Sequence, residues 1–183
     1  MPRRNNATLE NVELGFLNFT GRETEFNRKG DRNFSIFLSP EQASAMEADG
    51  WNVKYLKVRE QGDEPQAYLQ VSVSYNPKAK PPKIVMITSR KANILPEWAV
   101  ENLDFVDIKH VDVTLNPYEW VVSGKTGIKA YLQTMYIEIY EDPLDLKYAD
   151  LMEERGAKEI ESSWDNGNVI EGEIVDAQKQ IEF

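Results

Sequence analysis

The pentapeptide Ser123–Gly127, SGKTG, is the stretch of this chain closest to a catalytic signature. Gly124, Lys125 and Thr126 match the second half of a P-loop, in which backbone amides cradle phosphate, a lysine neutralises it and a hydroxyl holds magnesium. The motif needs a further glycine five residues before Gly124, and position 119 is Glu. The pentapeptide also lies between two strand-like runs rather than opening a helix, which favours a hairpin turn. His110, near Asp107 and Asp112, would suit a base with an orienting carboxylate, yet no Ser–His–Asp spacing can be assigned around it. Asp104, Asp107 and Asp112 could bind magnesium, but in this pattern they read as strand-end and surface residues. The chain has no cysteine and one histidine. Thiol nucleophiles, disulfides, thiolate zinc sites, iron–sulfur clusters and multi-histidine metal sites are thereby excluded. No enzymatic activity, metal or cofactor is expected.

The elements around these residues are mainly strands. With 183 residues the chain falls within the roughly 100–200 residues of one domain. Val12, Leu14 and Phe16 alternate with polar or small residues, and so do Phe34, Ile36 and Leu38 with Asn33, Ser35 and Phe37, the period of half-buried strands. Further strands are expected over 51–58, 67–75 and 83–89, and a long hairpin flanks SGKTG. Ser39 as N-cap, Pro40 at the first helical position, Gln42 at the capping-box position and Gly50 as the stop define one short helix. PEWAVENL reads as a helical turn, and the proline-rich NPKAKPP as an exposed loop. The pattern fits a mainly β fold: an OB-fold-like small barrel with extra strands and one short helix, over residues 1–140. Residues 141–183 read as an acidic, largely disordered tail with a short helix over Tyr148 to Ala157. No apolar run approaches the roughly 20 residues of a membrane span, and the N-terminal stretch lacks the apolar region of a signal peptide. A cytoplasmic protein is expected.

Charge is unevenly distributed. Residues 1–140 carry 17 Lys+Arg against 18 Asp+Glu, a net of −1, whereas residues 141–183 carry 4 against 13, a net of −9. Within the near-neutral body no acidic residue falls between Glu64 and Glu97, where Lys78, Lys80, Lys83, Arg90 and Lys91 lie. A second such window, from Trp120 to Ile137, holds Lys125 and Lys129 beside Tyr131. The loop from Gly21 to Arg32 contributes four more cations, Arg22, Arg28, Lys29 and Arg32, diluted by Glu23, Glu25 and Asp31, and reads as a mobile arm joining two strands. Such segregation creates local positive potential.

Proteins that bind single-stranded nucleic acid combine cations that track phosphates with aromatic faces on which bases stack. The alternation puts Tyr68 on a polar strand face with Gln70, and Phe37 on one with Asn33 and Ser35. Each is either a stacking platform or a residue covered by a loop or the helix. Tyr131 shares a face with Lys129, but Met135, Ile137 and Ile139 continue that face as core residues would. Trp51, Trp98 and Trp120 read as packing residues. The candidate contacts are therefore Arg22, Arg28, Lys29, Arg32, Lys54, Lys78, Lys80, Arg90, Lys125 and Lys129 for phosphate, with Phe37, Tyr68, Gln70 and Tyr131 for bases. The tail keeps apolar residues to its end, where Ile181, Glu182 and Phe183 would suit docking on a partner.

The ordered blocks GDRNFSIFL, ADGWNVKYLKVRE, PQAYLQVSVSY, PPKIVMITS and NPYEWVVSGKTGIKAYLQTMYIEI, followed by YADL, resemble a family of bacteriophage single-stranded DNA-binding proteins of the OB-fold type. The resemblance covers roughly residues 8 to 150. It implies a five-stranded OB barrel with added strands, coating of single-stranded DNA in phage replication or recombination in the host cytoplasm, no cofactor, and recruitment of replication or recombination proteins through the acidic tail. A phage structural or assembly protein making only protein contacts, and an acidic DNA mimic, remain the alternatives.

Overall fold

The computed structural model describes residues 4–155. Its strands are β1 (Ala7–Leu9), β2 (Glu13–Asn18), β3 (Arg32–Leu38), β4 (Val53–Tyr55), β5 (Ala67–Val73), β6 (Lys83–Ile87), β7 (Ala92–Ile94), β8 (Ile108–Val122) and β9 (Lys125–Ile139). Helix α1 spans Pro40–Ala48, and a 3-10 segment spans Glu97–Asp104. The expected capping box closes α1: Gln42 N donates to Ser39 Oγ at 3.2 Å, and Ser39 N donates to Gln42 Oε1 at 3.0 Å. Gly50 follows at φ 93°, a conformation that a residue with a Cβ rarely adopts.

The strands form one mixed, open sheet along the path β1-β8-β9-β5-β3-β2, with β4 beside β5, β6 beside β9 and β7 beside β6. Most neighbours are antiparallel, but β5 lies parallel to β9 through Val71↔Ala130 and Ser72↔Tyr131, and β6 lies parallel to β9 as well. Strands β1 and β2 stand at opposite ends of the path although only a few residues separate them in the chain. The sheet therefore curls until Val12 N donates to Val111 O at 2.9 Å. Beside this seam, Asn11 N donates to Asp112 Oδ1 at 2.8 Å, a bond that holds the Asp112 carboxyl below its ordinary range. The short outer strands β1 and β7 are absent from the sequence expectation, and β4 is shorter than the expected 51–58 run.

Inside the curl, Phe19 and Phe34 stack at 5.3 Å, surrounded by Ile36, Leu69, Val71, Ile84, Val111, Leu115, Met135 and Ile137. Ala43 and Met46 from α1 and Val100 and Leu103 from the 3-10 segment complete this core. The chain divides into two compact units at Asp142 and Pro143. Among the described residues the second unit is helix α2 (Pro143–Arg155), which begins earlier than the expected Tyr148 because Pro143, unable to donate, starts it. The tail positions Ile181, Glu182 and Phe183 lie outside the described residues.

The loop between β2 and β3 is held at its neck. Gly30 N donates to Gly21 O at 2.8 Å, and a Cβ on Gly21 would stand 3.1 Å from the Gly30 backbone. Buried Asn18 ties the two sides together: its Nδ2 donates to Arg22 O and Asp31 O, and its Oδ1 accepts from Arg22 N at 2.8 Å. Asp104, by sequence a metal ligand or a surface residue, instead accepts from Phe19 N and Thr20 N at 2.8 and 2.9 Å. Among the described residues no three His, Cys, Asp or Glu side chains cluster as a metal would require. Replacing Asn18 with Ala removes the partners of three backbone groups at the neck and should cost about 1–3 kcal/mol in urea unfolding; a change within experimental error would mean that the neck holds without the amide.

Candidate nucleic-acid interface

Strand β5 alternates without a break: Ala67, Leu69, Val71 and Val73 are buried, and Tyr68, Gln70 and Ser72 face outward, half-buried. Register then builds the outer face. Phe37 of β3 stands opposite Tyr68, Ser35 opposite Gln70 and Asn33 opposite Ser72. On the other edge Lys54 of β4 stands opposite Tyr68 and Tyr131 of β9 opposite Ser72. Lys54 Nζ donates to Gln70 Oε1 at 2.9 Å, so cation and amide are held as a pair.

A third aromatic joins Phe37 and Tyr68, and the sequence pattern misplaces it. Phe16 is expected in the core with Val12 and Leu14, yet it is 60% exposed. The β2–β3 register shifts between Gly15 and Asn18, and Phe16 takes φ 50°, which turns its side chain to the outer face. Its ring meets Phe37 at 6.0 Å and Tyr68 at 5.9 Å, both edge-to-face. Gly15 makes room for this cluster, because a Cβ there would lie 2.6 Å from the Phe37 ring.

A second irregularity decides Tyr131. Ile128, Ala130 and Leu132 are buried in the first part of β9, but Met135 and Ile137 are buried in the second. The change of phase coincides with a bulge: Leu115 pairs with Leu132 and Thr114 with Thr134, leaving Gln133 unpaired. Tyr131 therefore does not share the face of Met135 and Ile137, contrary to the sequence expectation. It points outward with Lys129, whose Nζ lies 4.9 Å from the ring centroid, a cation–π arrangement. Tyr118, 58% exposed on β8, meets Tyr131 edge-to-face at 5.8 Å and had no signal of its own in the alternation.

Between these groups and the β2–β3 loop lies an open cleft of about 550 Å³, lined by Lys54, Gln70, Ser72, Lys129, Tyr131, Asn33, Arg32 and the loop residues Phe26 and Asn27 among others. Arg32 is one of its lining residues. It belongs to β3 rather than to the loop, its Nη1 donates to Glu97 Oε1 at 2.7 Å, and its guanidinium lies over the Tyr75 ring. Burial pushes the Tyr75 hydroxyl above its ordinary range, with the Arg32 charge opposing that shift.

A family model described as "Putative phage ssDNA-binding domain" matches residues 1–183. The chain belongs to this family. Among solved structures, it is similar to the single-stranded DNA-binding protein from bacteriophage Enc34 in complex with ssDNA, at 9% identity and a TM-score of 0.49, covering 75% of this chain and 88% of that one. The C-terminally truncated Enc34 protein gives 10% identity and a TM-score of 0.48, with 75% and 87% covered. The gp2.5 single-stranded DNA-binding protein of bacteriophage T7 gives 13% identity and a TM-score of 0.36, with 90% and 98% covered. No curated protein matches the chain.

In this phage ssDNA-binding domain, the fold brings together Phe37, Tyr68, Gln70, Lys54, Lys129, Tyr131 and Arg32 of the sequence candidates. The others lie apart from the cleft lining: Arg22, Arg28 and Lys29 are exposed on the clamped loop, Lys78 and Lys80 on the loop after β5, Arg90 in the β6–β7 turn and Lys125 at the β8–β9 hairpin end. Trp51 is buried and Trp120 half-buried, as packing residues are, but Trp98 is 76% exposed and is not one. Gly15→Ala should displace the Phe37 ring and lower stability by about 1–3 kcal/mol through overpacking. Urea unfolding and the Phe37 ring resonances read both effects, and an unshifted ring at unchanged stability would contradict the close seating.

Proposed function

We propose that the chain coats single-stranded DNA without chemical turnover, in phage replication or recombination, with bases stacking along the outer face of β2, β3, β5 and β9. The observation that carries this reading is one surface holding Phe16, Phe37 and Tyr68 at one end and Tyr131 and Tyr118 at the other, with Lys54 and Lys129 between them. Stacking supplies sequence-tolerant affinity and the lysines neutralise phosphates. Arg22, Arg28 and Lys29, carried on the clamped loop beside the cleft, add phosphate contacts, and Lys78, Lys80 and Lys125 extend the positive rim. Arg90 contributes least, because its turn lies beyond the far end of β6. In this reading residues 1–140 form the DNA-binding unit and residues 141–183 an acidic segment that meets replication or recombination proteins through Ile181, Glu182 and Phe183. The protein acts in the cytoplasm of the infected host. Among the described residues no helix is long and apolar enough to cross a membrane.

The deciding experiment is fluorescence anisotropy of labelled oligo-dT against the full chain at two salt concentrations, with duplex of the same length as competitor. Tight, salt-sensitive binding that duplex does not displace supports the reading, and no binding at low salt removes it. Tyr68→Ala and Tyr131→Ala should each weaken binding by about 1–3 kcal/mol, the worth of one stacked base. Changing Arg22, Arg28 and Lys29 together to Ala should flatten the salt dependence, by about 0.7 in log–log slope for each phosphate that the loop no longer neutralises. An unchanged slope would take the loop out of the interface.

A further inference from the structure

The cleft differs in kind from the aromatic surface on either side of it. A stacking track needs ring faces and cations, and the cleft has these in Tyr131, Lys54 and Lys129, but its lining also carries amides and a hydroxyl, which stacking does not require. Asn33 is only 7% exposed, and its Nδ2 donates to Asn27 Oδ1 at 2.6 Å, which leaves its Oδ1 as an acceptor. Gln70 Oε1 is taken by Lys54, which leaves Nε2 as a donor. Ser72, standing between Asn33 and Tyr131 in the register, can donate or accept. Acceptor and hydroxyl stand directly opposite each other, where side chains lie about 5 Å apart, and the Gln70 donor lies two residues along the same face of β5, roughly 7 Å from Ser72. The Tyr131 ring stands beside them, braced from the far side by Tyr118. The volume, about 550 Å³, falls within the roughly 300–1,000 Å³ of small-molecule pockets.

We infer that this cleft takes one nucleobase out of the stacked run, seated against Tyr131 with its hydrogen-bonding edge turned to Gln70, Ser72 and Asn33. The inference rests on the single-stranded DNA reading and adds to it a base preference at one position of each footprint. A phosphate fits the same floor less well. The amide oxygen of Asn33 would face its negative charge, and the acidic residues Asp31 and Glu97 line the same cleft. A base whose edge leaves these groups unpaired forfeits their hydrogen bonds, so discrimination follows from desolvation as well as from contact.

The test uses the full chain and labelled homopolymers of dT, dC and dA of one length, together with a mixed-sequence oligonucleotide and its counterpart carrying abasic sites. The strongest and weakest homopolymers should differ about tenfold or more in Kd at one salt concentration, the size of one well-made base-edge contact. Gln70→Leu should narrow that ratio to about twofold or less, as expected when an apolar side chain replaces the amide that reads the base edge. Ser72→Ala, a smaller change, should narrow it too and serves if Gln70→Leu folds poorly. Abasic sites should weaken binding. Equal, salt-sensitive binding of all homopolymers, or a ratio that persists in both variants, would overturn the base pocket and leave DNA coating standing. Unweakened binding of the abasic strand would assign the cleft to backbone and overturn it likewise. Failure of every oligonucleotide to bind at low salt would remove both readings.

Discussion

Strand β5 is hydrogen-bonded along both edges, to β3 on one side and to β4 and then β9 on the other, and this double pairing holds the site together. A strand pinned on both sides cannot rotate, and slipping it by one residue would bury Tyr68, Gln70 and Ser72 while exposing Leu69 and Val71. The burial of one face therefore fixes the presentation of the other. Through the parallel pair Ser72↔Tyr131, β5 also draws in a hairpin that is remote in sequence, and the cleft exists only because that pairing forms.

Around this regular strand, irregularities aim the aromatics. A bulge in β2 turns Phe16 outward at a backbone conformation that costs about 1–3 kcal/mol for a non-glycine residue. A bulge at Gln133 reverses the phase of β9, so one strand serves the outer face with Tyr131 and the core with Met135 and Ile137. The loop between β2 and β3 depends on a comparable investment, since buried Asn18 and the Asp104 carboxylate satisfy backbone groups that a loop neck would otherwise leave unpaired. The loop rises from a defined base, and Phe26 and Asn27 are among the residues that line the cleft.

Cations behave differently in the fold than in a sequence window. The stretch from Glu64 to Glu97 is free of acidic residues, yet Lys78 and Lys80 lie on a loop and Arg90 in a turn on the far side of β6, while Arg32 is tied to Glu97. Lys54, which belongs to neither acid-free window, enters the cleft because β4 sets it opposite Tyr68. Potential at the site reflects which strands are neighbours more than how charges cluster along the chain.

Much of this protein is legible in its sequence. Period-2 alternation marks β3 and β5, an apolar run marks β6, the SGKTG turn marks the β8–β9 hairpin, the Ser39–Gln42 box marks α1, and Tyr68 and Phe37 stand out as aromatics on polar strand faces. These follow from local rules, since alternation and capping act within a few residues. The positions of Phe16, Tyr118 and Tyr131 do not follow, nor does the pinning of Arg32 by Glu97. A bulge changes which face a residue takes without changing composition, and a register joins residues that no window contains. The sequence by itself determined the longer strands, the absence of thiol chemistry and the family. Only the tertiary structure decided which side chains share the outer face, because that depends on pairing between β5 and strands far from it along the chain.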